Sequence, residues 1–166
     1  NIKNIIGDNY SLSKKGYEYS KKLYTYFESE NLIIYTSSLK RTKETGHLFN
    51  NPIESKLLDE INAGIFENKT FDEFKLNYPN EYQKRQKNKL FYKYKKGESY
   101  IDLIIRVNKF LQNIDLKKDI LIICHRAILR TLLHILCGIE KFVHLDIPLN
   151  TIYKIKNKNY ELIKLE

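Results

Sequence analysis

The chain is 166 residues long, 42% hydrophobic and 30% charged, with 6 Gly and 3 Pro; this composition excludes disordered, collagen-like and low-complexity proteins and predicts one domain around one core. No apolar run approaches the roughly 18 residues of a membrane helix, and the opening NIKNIIGDNY lacks the apolar stretch and small-residue cleavage site of a signal peptide. Twenty-nine basic against 20 acidic residues leave a net charge of +9, the sign of a phosphate or nucleic-acid binder and equally of a Lys-rich surface with no partner.

In chain order, Leu12, Tyr19, Leu23 and Phe27 recur at helical spacing behind Ser11 or Ser13 as cap, so a helix is predicted over 12–27. LIIY at 32–35 suits a short buried strand, and SSLKRTKETGHLF then opens a second helix. Lys56–Leu58 is a candidate short strand. Thr70-Phe71-Asp72-Glu73 is a capping box that starts a helix, and Ser99 with Asp102 begins another. Asp119 to Cys124 (DILIIC) is a continuous apolar run, as in a parallel strand covered on both faces. Ala127 to Leu136 reads as a helix. Thr151 to Ile155 and Tyr160 to Leu165 read as two closing strands around Asn157-Lys158-Asn159. Alternating strands and helices predict an α/β fold with a mainly parallel central sheet and helices on both faces. Cys124 and Cys137 lack a CxxC spacing and are expected as buried thiols of a reducing, cytoplasmic compartment. The absence of Met is expected of a piece of a longer chain.

Ligands of such folds sit outside the carboxyl ends of the strands. Three candidates stand there: Arg41 in the first turns of a helix after LIIY, Glu60 after KLL, and His125 with Arg126 after DILIIC. Arg supplies a planar fork that Lys does not, and this chain has 24 Lys but only 5 Arg, so each Arg is informative; only Arg106 lies outside the segments singled out. A helix N-terminus beside His and Arg suits a phosphate dianion, and Glu60 supplies a general acid. No nucleophilic Ser or Cys motif and no metal-ligand spacing accompanies them, so phosphoryl chemistry without metal or other cofactor is expected. Singly, His125 also fits a hydrogen-bonded structural residue and Glu60 a surface carboxylate. His47 and His134 are expected as structural residues, and His144 at the mouth of the site or on the surface. KRQKNKLFYKYKK at 84–96 carries seven basic residues in thirteen, interleaved with Phe91, Tyr92 and Tyr94. It reads as a single-strand nucleic-acid track, as a solvated charge run, or as a second anion site for a substrate with two phosphates.

YTSSLKRTKET, LLDEINAGIFE, KGESYIDL and ILIICHRAILR, in this order, resemble the histidine phosphatase (phosphoglycerate mutase-like) superfamily, and most of all the fructose-2,6-bisphosphatase domains of bifunctional 6-phosphofructo-2-kinase/fructose-2,6-bisphosphatases. The resemblance implies a phosphoglycerate mutase-like fold and hydrolysis of the 2-phosphate of fructose 2,6-bisphosphate through a phosphohistidine. It implies that Arg41 and His125 hold the transferring phosphoryl group and that Glu60 protonates the leaving sugar oxygen. By the same resemblance, Asn1 and Gly7 match positions near the phosphate and sugar, Arg85, Lys89 and Lys93 match the basic residues at the 6-phosphate, Tyr100 matches a tyrosine beside the substrate, and Arg130 an arginine in the helix after the second histidine. Residues 1–166 are then expected as a domain that lacks its first strand and the Arg-His-Gly motif bearing the nucleophile, inactive by itself. A kinase domain is expected in the same parent chain, with homodimers formed through it. Nucleic acid and membrane are not expected partners. Three positions depart from the pattern: Phe71 stands for a substrate-binding Tyr, Arg126 for a Gln after the second histidine, and Lys93 for an Arg. A phosphoglycerate mutase or other sugar phosphatase, and a phosphate-binding module without turnover, are the alternatives.

Overall fold

In a computed structural model that describes residues 5–7 and 9–165, three strands form a parallel sheet in the order β2-β1-β3: β1 is Ile33–Thr36, β2 Ile53–Glu54 and β3 Ile120–Ile123. Tyr35 pairs with Ile53 on one side and with Ile122 on the other. Because side chains alternate along a strand, the sheet presents two faces with different coverings. Ile34, Leu121 and Ile123 pack with Leu23 of helix α1 (Lys14–Phe27), with Phe49, and with Ile152 and Ile163. Tyr35 and Ile122 face the larger cluster built on helices α5 (Tyr100–Gln112) and α6 (Arg126–Cys137), where Leu103, Val107, Ile128 and Phe142 are buried. The expected α/β arrangement, a parallel sheet with helices on both faces, is the one observed. The closing strands are also as expected, β4 (Thr151–Lys156) pairing antiparallel with β5 (Asn159–Lys164), but they form a separate two-stranded sheet.

Local signals explain most element starts. The Ser13 hydroxyl accepts from the Gly16 N–H at the head of α1. Reciprocal capping boxes open helix α3 (Phe71–Asn77) through Thr70 and Glu73, and α5 through Ser99 and Asp102. Helix α2 spans Lys40–Gly46 and α4 Pro79–Lys87, the latter with proline in its first turn, where the missing N–H does no harm.

One element differs from expectation. Lys56–Leu58 is a 3-10 turn, and the strand precedes it at Ile53–Glu54. The ladder ends where Ser55 N–H donates to Thr36 O; Leu58 N–H then bonds Ser55 O and Asp59 N–H bonds Lys56 O. The turn drives Leu58 into the core with no exposed surface. A two-residue strand carries no periodicity, and the apolar pair Leu57 and Leu58 in KLL is a stronger signal than the single Ile53. A smaller cluster of Ile6, Ala63, Phe66, Phe74 and Tyr94 ties the first described residues to the loops above the sheet, with Ile6 bonded through its backbone to Lys69 and Asn68.

Candidate active site

At the carboxyl end of β3, His125 is the N-cap of α6 and only 7% exposed. Its Nε2 lies 2.7 Å from Ser37 Oγ, just past the end of β1. Its Nδ1 accepts from Arg41 Nε at 3.2 Å. Adjacent parallel strands thus deliver the His and the Arg to one point, as the sequence predicts. Burial, and then the positive charges of Arg41 and Arg106, hold His125 well below the ordinary imidazole range, so the ring is neutral near pH 7.

Glu60 meets the same place from the loop after the 3-10 turn. Its Oε1 accepts from Ile61 N–H at 2.9 Å and from Ala127 N–H, in the first turn of α6, at 3.2 Å. These bonds and the Arg41 and Arg106 charges favour the carboxylate, but desolvation outweighs them and the pKa is raised. A carboxyl biased toward its protonated form is what a general acid requires. The Ala127 N–H, one of the α6 donors expected to meet phosphate, serves Glu60 instead. Ser38 ties the loop down by donating from its N–H and hydroxyl to Asp59.

Arg106, the Arg outside the segments singled out in the sequence, sits beneath Glu60. It pairs with Glu98, with Nε 2.8 Å from Oε1, and donates to the carbonyls of Leu57 and Glu60. Glu98 accepts from Asn62 N–H, so the pair fastens the Glu60 loop to the segment leading into α5. The scarcity of Arg was the signal that marks this residue. Gly64 has φ +56°, and a Cβ there would overlap the Lys95 carbonyl, as one at Gly97 would overlap the Asn62 carbonyl. The two motifs LLDEINAGIFE and KGESYIDL carry these glycines because their backbones cross in contact.

A second group of cations lies alongside. Lys89 Nζ donates to Val143 O at 2.6 Å and stands 5.8 Å from the Tyr100 ring centre. Burial, with the charges of Arg130, Arg85 and Arg126 around it, lowers its pKa to about 7. Arg130 donates to Leu145 O and to the Tyr100 hydroxyl. Arg85 donates to the Tyr94 hydroxyl at 2.6 Å, and its guanidinium stands 5.3 Å from the Phe71 ring centre. The charges of Arg130, Glu60 and Arg85 all act on the Tyr100 hydroxyl. Lys93 is not drawn in: it is 63% exposed and paired with Asp102 at 3.2 Å. Arg126, the first residue of α6, is exposed. Of the aromatics in the basic tract, Tyr94 is buried, Tyr92 donates to Glu81, and Phe91 alone is largely exposed.

Gly7, Asn9, Asp59, Glu60, Asn62 and Arg106 are among the residues lining a cleft of about 490 Å³, which puts Gly7 and Glu60 in one space. Asn1 lies outside the described residues. His134 bonds Ile139 O and stacks on Phe142; His47 is exposed at the end of α2 and bonds Glu44 O; His144 is exposed in a 3-10 turn. Cys124 and Cys137 are free thiols. Among the described residues no helix is long and apolar enough to cross a membrane, and no group of three His, Cys, Asp or Glu is placed to hold a metal.

A family model described as "Histidine phosphatase superfamily (branch 1)" matches residues 5–164. The chain is 37% identical over 161 residues to human 6-phosphofructo-2-kinase/fructose-2,6-bisphosphatase 4, covering 93% of this chain and 34% of the relative. It is 34% identical over 167 residues to the fructose-2,6-bisphosphatase of Saccharomyces cerevisiae, covering 96% and 37%. The chain therefore spans about a third of the length of the curated relatives it matches. Among solved structures, the alpha-ribazole phosphatase of Shigella flexneri superposes with TM-score 0.82 at 19% identity, covering 99% of this chain and 89% of that one. A phosphoglycerate mutase from Thermus thermophilus superposes with TM-score 0.66 at 21% identity, covering 81% and 75%. At such identities the structures show the shared fold alone.

Proposed function

This chain belongs to the histidine phosphatase superfamily, and we propose that it is a phosphatase domain that hydrolyses the 2-phosphate of fructose 2,6-bisphosphate through a phosphohistidine. The observation that carries this reading is the convergence of Arg41, His125 and Glu60, whose carboxyl is raised in pKa by desolvation, with a second set of cations, Arg85 and Arg130, whose charges also act on Tyr100. Arg41 and His125 hold the transferring phosphoryl group, and Glu60 protonates the departing C2 oxygen. Arg85, Lys89, Arg126 and Arg130 hold the 6-phosphate; Lys93 joins them only by leaving Asp102. Tyr100 lies between the two phosphates, and Gly7 borders the first. A relative of known name, 37% identical and carrying both activities in its name, supports the substrate class over that of a phosphoglycerate mutase. The basic tract is less suited to nucleic acid, since two of its three aromatics are engaged within the fold.

In this reading the phosphoryl acceptor is the histidine of an Arg-His-Gly motif ahead of Asn1 in a parent chain, on the strand that completes the domain. Residues 1–166 supply the binding groups and the acid. A 6-phosphofructo-2-kinase domain in the same parent, homodimers formed through it, and a cytoplasmic location belong to the same proposal. The experiment is incubation with fructose 2,6-bisphosphate labelled at the 2-phosphate. A chain extended to include the motif forms an acid-labile phosphoenzyme, whereas the 166-residue chain binds the sugar and forms none. In the extended chain Glu60→Gln slows phosphoenzyme formation by about 10²–10⁴-fold, because Gln keeps the acceptor for Ile61 and Ala127 but has no proton to give. Phosphoenzyme on the 166-residue chain, or an unchanged rate in Glu60→Gln, overturns the assignment.

A further inference from the structure

We infer that Ser37 and Thr42 are positioning residues whose coupled hydroxyls set the tautomer of His125, keeping its proton on Nε2 and its Nδ1 lone pair turned toward the anion position. The inference rests on the reading that Arg41 and His125 receive a phosphoryl group. A guanidinium only donates, so the Arg41 Nε–H bond to Nδ1 requires a lone pair at that nitrogen. The ring is neutral, for it is buried beside Arg41 and Arg106; its single proton is therefore on Nε2, and Nε2–H donates to Ser37 Oγ at 2.7 Å. Ser37 Oγ also accepts from Leu39 N–H at 3.1 Å. With both acceptor positions used, the Ser37 hydrogen goes to Thr42 Oγ1 at 2.7 Å, and the Thr42 hydrogen goes to Leu39 O at 2.8 Å. The chain runs one way only. Reversed, it would ask a neutral imidazole to accept at both nitrogens.

This order decides what happens when an anion arrives. A phosphoryl group at Arg41 takes over guanidinium N–H groups and sets an oxygen against Nδ1, where a lone pair repels and a proton attracts. A phosphate monoester bound as its monoanion brings that proton. The phosphate O–H bond breaks, an Nδ1–H bond forms, and the pair becomes a dianion beside an imidazolium with total charge unchanged. Nε2–H stays on Ser37 throughout, so no other proton moves. Without Ser37 the Nε2–H tautomer leaves a buried donor with no acceptor, a penalty the Nδ1–H tautomer does not carry, so the preference for Nε2–H is lost.

Long-range proton–nitrogen spectra of the ¹⁵N-labelled 166-residue chain test this directly, with inorganic phosphate as the anion probe. In the wild-type chain without phosphate, His125 is expected as the Nε2–H tautomer; with saturating phosphate, both ring nitrogens are protonated. Ser37→Ala is expected to lose the single tautomer and to bind phosphate about tenfold more weakly. Thr42→Val behaves alike, and Thr42→Ser retains both properties. An Nδ1–H tautomer in the phosphate-free wild type overturns the inference, and that spectrum decides even if a variant fails to fold. Ser37→Ala with wild-type spectra and affinity overturns it as well. A wild-type chain that shows the Nε2–H tautomer but binds no phosphate supports the hydroxyl chain and instead defeats the phosphoryl-site reading.

Discussion

Lys89 is the residue whose chemistry depends most on its neighbours. Burial and the surrounding Arg130, Arg85 and Arg126 lower its pKa to about 7. A bound phosphate offsets those like charges and restores the ammonium. Binding therefore takes up a proton wherever the free chain holds Lys89 neutral, that is, above about pH 7. By linkage, affinity for fructose 2,6-bisphosphate falls as pH rises from 7 toward 9, approaching about tenfold per pH unit for one proton, and flattens below pH 7. Fructose 2-phosphate, which does not reach this group, lacks the dependence, and Lys89→Met removes it. Calorimetric titrations in two buffers of different ionisation heat read the proton uptake. Equal pH profiles for the two sugar phosphates would contradict the placement of Lys89. The sequence made Lys89 visible as one cation in a run of seven; its depressed pKa comes first from burial and then from Arg130, Arg85 and Arg126, two of which lie about forty residues away, and the run alone does not show it.

Elements were legible in proportion to their length and their caps. The capping boxes at Thr70–Glu73 and Ser99–Asp102 are written in the sequence and observed as reciprocal bonds, and DILIIC contains β3. β2 was not legible, because two residues cannot show a period and the apolar KLL beside it belongs to a turn. The site followed the same rule. The convergence of Arg41, Glu60 and His125 was legible from their places after apolar runs. Ser37, Glu98 and Arg106 were missed, since each holds a residue or loop distant in sequence, and Thr42 because its hydroxyl meets the site only through Ser37. Arg106 carries the clearest consequence. Its fork joins Glu98, Leu57 O and Glu60 O, with the pair's side chains 16% and 24% exposed. Arg106→Ala leaves Glu98 without its cation and two carbonyls without this donor, and is expected to lower the unfolding free energy by about 3 kcal/mol. Arg106→Lys keeps a charge but not the fork and costs less. Urea denaturation measures both; a loss under about 1 kcal/mol in Arg106→Ala would show that the Glu60 loop is held by other contacts.

Across the molecule, the parallel sheet brings residues 37–41, 60 and 125–130 to one edge, and the crossing at Gly64 and Gly97 lays the basic tract beside them. The net charge of +9 therefore has two parts: a Lys-rich exposed surface and a set of Arg85, Arg126 and Arg130 whose charges act on Lys89. Charge counts alone do not separate the two, which is why a nucleic-acid track stood beside a second phosphate site as a reading of residues 84–96. The measurement that bears most directly on the proposed two-phosphate site is titration of the 166-residue chain and its Lys89→Ala and Arg85→Ala variants with fructose 2,6-bisphosphate, fructose 2-phosphate and a single-stranded oligonucleotide. Each substitution is expected to weaken the bisphosphate by roughly 10–150-fold, the loss of a charge-assisted contact of about 1.5–3 kcal/mol, while fructose 2-phosphate binds as to the wild type. Equal losses for both sugar phosphates, or losses confined to an oligonucleotide affinity that falls steeply with salt, would contradict it.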